Sequence, residues 1–295
     1  MTSLRTLLAG AIDYAGLFPP ARLDMVAAVR NYAAYLRGGD AWALGRFILP
    51  ADRLDEFQQA CSELADRMAG PWRLSALLGE GTDIPAIEAF NAGAGHRPGP
   101  TSLVDMVEGR ASTVDEIKHL ASRIPRTLTL HIEVPLDPDP GPLVDAIAMA
   151  GRRAKARTGG VTADAFPSSA SLARFIKICA QKRVPFKATA GLHHPVRAQY
   201  SLTSEPEGPR GTMFGFLNVL MAAVVGFRGG TVAEIVDVLN EESAAAFRFG
   251  DADLSWRSHR MDLGAVQSLR NELAMSFGSC SFTEPFEGLT SLGLL

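Results

Sequence analysis

Short apolar-rich runs alternate along the chain with longer segments whose apolar residues recur every three to four positions. The short runs predict strands over 11–16, 43–50, 72–79, 102–109, 127–135, 152–158 and 185–191. The longer periods predict helices over 23–37, 52–68, 113–124 and 169–183. Two of these helices carry start signals. Ser112 or Thr113 precedes a first turn with Asp115 and Glu116, and Pro167-Ser168-Ser169 leads into the helix through Phe175. Helices recurring at about thirty-residue spacing suit right-handed βαβ crossovers and a parallel sheet.

Seven strands plus one near the C-terminus make eight, which predicts an α/β fold of the (β/α)8 TIM-barrel type in one domain over 1–295. Either 245-AAFRFG-250 or 274-AMSFGSCSF-282 supplies the eighth strand. The tract 196–275 exceeds one barrel connection and predicts a helical or loop insertion before that strand. The Pro- and Gly-rich stretches 136–142 and 204–211 read as loops. A doubly wound open sheet is the alternative architecture.

Strand residues two apart share a face. Thr129, His131 and Glu133 therefore oppose Leu128, Leu130, Ile132 and Val134. By the same parity Arg153, Lys155 and Arg157 point together, Lys187 points with Thr189, and Asp105 points with Leu103 and Val107. An ammonium is costly on a short buried strand unless it is paired or neutralised. A buried salt-bridge network is the plain explanation, but such networks seldom outperform apolar packing, so a site is the better motive. A lysine beside a second cation in a partly desolvated pocket has its pKa lowered, and the free amine can form a Schiff base with a carbonyl. Asp105 and Glu133 are the carboxylates expected to move protons.

Five stretches resemble motifs of the deoxyribose-phosphate aldolase family, a class of (β/α)8-barrel Schiff-base enzymes. The stretch 155-KARTGG-160 resembles that family's K-T-S-T-G strand six, and 187-KATAGL-192 its V-K-A-S-G-G strand seven. The stretches 12-IDYAGLFPPA-21, 104-VDMVEG-109 and 277-FGSCS-281 resemble its opening strand, its strand four and its phosphate loop. The resemblance implies that Lys155 forms the Schiff base, that Lys187 lowers its pKa and that Asp105 relays protons. It also implies that Gly159, Gly191, Gly278 and Ser279 line a phosphate or anion site. Arg157 and His193-His194-Pro195 depart from the family pattern, so a substrate other than deoxyribose phosphate is expected. With Thr158, Gly160 and Thr189, these residues complete the expected substrate-binding set.

Net charge of −3 and pI near 6.1 argue against nucleic-acid or membrane-surface partners and leave a small molecule as the expected one. Self-association into a homo-oligomer is compatible with this composition. Three scattered cysteines, Cys61, Cys179 and Cys280, suit a reducing cytoplasm. The opening segment lacks a signal-peptide core, because Asp13 interrupts it. The apolar run 213–227 is shorter than the roughly 20 residues of a membrane span and predicts a buried helix.

His193 and His194 lie past a strand end, where acid–base or anion-binding roles are expected. With His131 and Glu133, one of them could complete a metal-dependent hydrolase or isomerase site, although no HxH or HExxH spacing supports it. No cofactor or metal is expected in the leading reading. A non-catalytic barrel that binds a small anion through Lys155, Arg157 and Lys187 is the third possibility. Cys280 reads as a small buried thiol.

Overall fold

The computed structural model describes residues 1–64, 71–82, 84–203 and 208–295. Thirteen strands run in chain order among them. The first seven are β1 (Ile12–Tyr14), β2 (Leu44–Pro50), β3 (Trp72–Leu77), β4 (Ser102–Arg110), β5 (Thr129–Glu133), β6 (Arg153–Arg157) and β7 (Phe186–Thr189). β8 (Ala198–Ser201) and β9 (Arg210–Met213) form a hairpin, and β10 (Phe247–Phe249), β11 (Asp253–Trp256) and β12 (His259–Asp262) form a small antiparallel sheet. β13 (Ala274–Ser279) pairs in parallel with both β1 and β7 and closes an eight-stranded barrel in the order β1-β13-β7-β6-β5-β4-β3-β2. The sheet is closed, so the doubly wound alternative is excluded.

Of the two candidates for the eighth strand, 274–279 closes the barrel and 247–249 does not. The reason lies in the residues. β10 reads Phe-Arg-Phe with Arg248 exposed, a one-sided pattern suited to a small sheet over a helix. β13 is buried along nearly its whole length, as a strand with helices outside and side chains inside must be.

Helices α1 (Thr2–Leu8), α2 (Met25–Arg37), α3 (Leu54–Ser62), α4 (Ile84–Ala92), α5 (Val114–Arg123), α6 (Gly141–Met149) and α7 (Ser169–Lys182) accompany the first seven strands. α8 (Phe216–Phe227), α9 (Val232–Leu239), α10 (Leu263–Glu272) and α11 (Thr283–Ser291) complete the chain. Thr113 and Ser168 cap α5 and α7, as their spacing predicts, by accepting from the backbone N–H groups of Glu116 and Ser171. The predicted helix over 52–68 is realised as a short 3-10 turn followed by α3, and its positions 65–68 lie outside the described residues, as do 204–207 of the predicted loop.

The tract between β7 and β13 holds the predicted insertion. The β8–β9 hairpin comes first, then α8 and α9, then the β10–β12 sheet and α10. α8 reads FLNVLMAAVVGF and is buried from Phe216 to Gly226, apolar all round because α7, α9, α10 and the barrel strand β13 all pack against it. Its Asn218 is paired, donating to the carbonyls of Val238 and Glu241 and accepting from the Arg197 N–H. No helix among the described residues is long and apolar enough to cross a membrane.

Between β3 and β4 the register slips. Leu74 pairs with Val104 but Ser75 pairs with Met106, so Asp105 is an extra residue on β4. The slip reverses the face expected for every later residue of that strand.

Candidate active site: a buried charge network opening at Lys155

Lysines on adjacent strands are in register, Lys155 of β6 opposite Lys187 of β7. Both point into the barrel, at different depths. Lys187 is fully buried and donates to Asp13 Oδ2 at 2.6 Å and Glu108 Oε1 at 2.7 Å. Burial alone would lower its pKa, but Asp13 and Glu108 outweigh that and raise it, so it remains an ammonium. Lys155 forms ion pairs of 2.8 Å with Glu108 Oε2 and with Glu133 Oε2. Lys155 reaches the cavity; Lys187 is not among the residues that line it.

Glu108 is the hinge of the network. It lies between the two lysines and also accepts from Ser75 Oγ at 2.6 Å. Burial would push its carboxyl up, yet the charges of Lys187 and Lys155 hold it well below the usual carboxylate range. Asp13 accepts from the Arg46 backbone N–H at 2.7 Å and from Ser276 Oγ at 2.7 Å as well as from Lys187. Glu133 is lowered too, because Lys155, Arg110 and Arg157 together overcome its burial. Its Oε1 faces Arg110 at 3.2 Å and Arg157 at 3.5 Å.

Above Lys155 lies a cavity of about 680 Å³ at the C-terminal end of the barrel strands. Lys155, Glu108, Thr189 and Gly278 belong to its inner part, while Arg110, Arg157 and Arg210 add cationic wall. The β8–β9 hairpin contributes Tyr200, Ser201 and Met213, so the insertion roofs the site. A second groove of about 550 Å³ on the far side of Arg110 and Arg157 is lined by Glu133, which thus stands at the boundary of two spaces.

The other expected site residues divide. Gly160, Gly191, His193 and His194 line the cavity with Arg157. Thr158 and Gly159 do not; the Thr158 hydroxyl donates to the carbonyls of Thr189 and Ala190, and Gly159 accepts from Arg157 Nη1 while packing on Phe166. Ser279 also lies outside the lining, with its Oγ 3.3 Å from His193 Nδ1. His194 stacks on Tyr200 with ring centroids 3.6 Å apart. Burial and then the neighbouring His193 push its imidazole down to about 4.

Asp105 is placed elsewhere. It pairs with Arg46 at 2.6 Å and Arg73 at 2.5 Å, not with either lysine. The register slip at Asp105 is the cause, since it brings Glu108 rather than Asp105 up to the lysines. Sequence parity therefore missed Glu108, although it stands in the quoted stretch 104-VDMVEG-109, and missed Asp13 in 12-IDYAG-16. His131 does point inward, fully buried, but both its ring nitrogens lack a hydrogen-bond partner. Burial and then the Lys187 charge hold it well below the usual imidazole value, so it is neutral. No three His, Cys, Asp or Glu side chains among the described residues converge as metal ligands, so His131, Glu133 and His193 do not form such a set.

The arrangement presents one amine, flanked by carboxylates, to a roofed cavity with a cationic wall. No protein-family model matches the chain, and no curated protein matches it.

Proposed function

We propose that the protein is an aldolase-like carbon–carbon lyase that binds a small carbonyl compound as a Schiff base on Lys155. The observation that carries this reading is the placement of Lys155 Nζ, the amine of the buried network that reaches the cavity, 2.8 Å from two carboxylates. An ion-pair network serving stability alone has no need of an opening at one lysine.

The reading implies the following steps. Lys155 must lose a proton before it can attack. Glu133 Oε2 lies 2.8 Å from its Nζ, so this oxygen is within reach to accept that proton. Attack on the carbonyl carbon gives a carbinolamine, and return of the proton to its hydroxyl expels water and leaves an iminium. A base then removes the proton of a β-hydroxyl, the carbon–carbon bond breaks, and its electron pair runs to the iminium nitrogen. The Lys187 ammonium, bound to Asp13 and Glu108, fixes Glu108 in place and keeps it ionised beside Lys155. Arg157, Arg110 and Arg210 favour a substrate with a carboxylate or phosphate group. A cytoplasmic location belongs to this reading and is supported by three unpaired cysteines.

Borohydride reduction with a panel of small aldehydes, ketones and their phosphates tests the proposal by intact mass and peptide mapping. An adduct on Lys155, absent in Lys155→Ala, is expected. An adduct-free Lys155 across the panel would replace this reading with that of an anion-binding barrel.

A further inference from the structure

The three cysteines have different surroundings. Cys61 and Cys179 lie in the apolar core, where burial pushes their thiols up, to about 12 for Cys61 and well above the usual range for Cys179. Cys280 also has little exposure, but it lines the cavity. Its Sγ is 3.7 Å from His193 Nδ1, and Glu284 Oε2 lies 3.3 Å from the same nitrogen. Because β7 and β13 are neighbours, the segment after β7 delivers His193 beside the residue that follows β13. Glu284 comes from the first turn of α11. The Ser279 hydroxyl donates to the Ser281 carbonyl at 2.6 Å, and its oxygen lies 3.3 Å from the same imidazole nitrogen.

We propose that Cys280, His193 and Glu284 form a second covalent centre in the cavity, independent of Lys155, whose thiolate adds reversibly to the carbonyl carbon of a small aldehyde. A thiolate beside an imidazolium is the pairing that makes cysteine nucleophilic near neutral pH. In the addition the S–C bond forms, the carbonyl π pair moves to oxygen, and the His193 proton passes to that oxygen to give a thiohemiacetal. Nothing is oxidised and no group leaves; reversal returns the proton to the imidazole. Glu284 is a positioning residue that holds the imidazolium. Burial works against a charged His193, yet its contacts with Cys280 and Glu284 raise it to about 9.

The neighbouring titratable groups are quiet near neutral pH. Tyr14, close enough to feel the charge of Cys280, is raised to about 12 by burial, and His194 is lowered to about 4. Among the described residues, the remaining charges facing the cavity are Lys155, Arg110, Arg157, Arg210 and Glu108.

Iodoacetamide labelling of the intact protein, followed by peptide mapping between pH 6.5 and 8.5, tests the centre. An ordinary thiol of pKa about 8.5 gains roughly fiftyfold in rate across that interval, following its thiolate fraction. Cys280 is expected to react selectively over Cys61 and Cys179 and to gain clearly less than that ordinary thiol. His193→Gln is expected to restore the steep profile, and Glu284→Gln to steepen it in part. A steep wild-type profile, or no labelling of Cys280, overturns the ion pair whether or not His193→Gln folds. In Lys155→Ala, where no Schiff base can form at that position, millimolar propanal is expected to slow labelling of Cys280 reversibly. Unchanged labelling in propanal overturns the aldehyde assignment, and this arm is unaffected by failure of the Schiff-base reading.

Discussion

Replacing Lys187 by methionine removes a fully buried ammonium but keeps much of the aliphatic volume. Asp13 would keep the Arg46 N–H and the Ser276 hydroxyl, both neutral donors, while Glu108 would keep Lys155 and Ser75. Asp13 therefore suffers most, as a buried carboxylate left without its countercharge. Breaking a buried ion pair by removing one partner costs about 3–5 kcal/mol. For a chain of this size that corresponds to a fall in Tm on the order of 5–15 °C. The loss should depend on pH with a definite sign. Glu108 is held below its unfolded value in the wild type, so its contribution is complete above an unfolded pKa of about 4.3 and fades as pH falls through the lower folded value. Without Lys187, the buried carboxylates take up protons at higher pH and so relieve the penalty. Denaturant melts of both proteins at pH 7.5 and pH 4 should show the stability gap shrinking towards acid. A gap below about 1 kcal/mol at pH 7.5, or one that widens towards acid, would refute the buried network as described.

Three other perturbations separate the parts of the molecule. Asp105→Asn should cost about 1–2 kcal/mol in denaturant melts, through its lost pairing with Arg46 and Arg73, and leave borohydride trapping on Lys155 unchanged. A Cβ at Gly45 would lie 2.3 Å from Asp13 Oδ1, so Gly45→Ala should cost about 1–3 kcal/mol by melts and displace the partner of Lys187. His193, raised to about 9, should stabilise the fold fully below pH of about 6.5 and lose that contribution as pH rises through its folded value. Unfolding free energy measured in denaturant from pH 6 to 10 should therefore fall more steeply for the wild type than for His193→Gln, by up to about 3 kcal/mol.

The barrel was legible because its strands are short, apolar and regularly spaced, and because the charged residues of β5, β6 and β7 obey strict alternation. His131, Glu133, Lys155, Arg157, Lys187 and Thr189 all took the relative faces that parity assigns them. β4 was misread for one reason. Parity carries no information about an inserted residue, so Asp105 was assigned the place that Glu108 occupies. The roles of Asp13 and Ser276 follow from barrel closure, which brings β1 against β13 across the whole length of the sequence. The proximity of Cys280 to His193 has the same origin, since residues 87 apart in the chain become neighbours only when β13 pairs with β7. α6 was hidden because its Gly141-Pro142 start resembles a loop, although proline is well suited to the first turn of a helix.

The β8–β9 hairpin and the turn that follows β8 supply Tyr200, Ser201, Leu202, Thr203, Arg210 and Met213 to the cavity wall. Among the described residues, none of these six bonds to Asp13, Glu108, Glu133, Lys155 or Lys187. Under the proposed function, part of the cavity rim is thus supplied by an appendage, while the reacting amine sits in an element of barrel cohesion. A drift in hairpin sequence can change which molecules gain entry while the charge network, on which folding depends, stays intact. Such a protein can diversify its diet without risking its skeleton, and a library confined to 198–203 and 208–213 would be the economical way to redirect it.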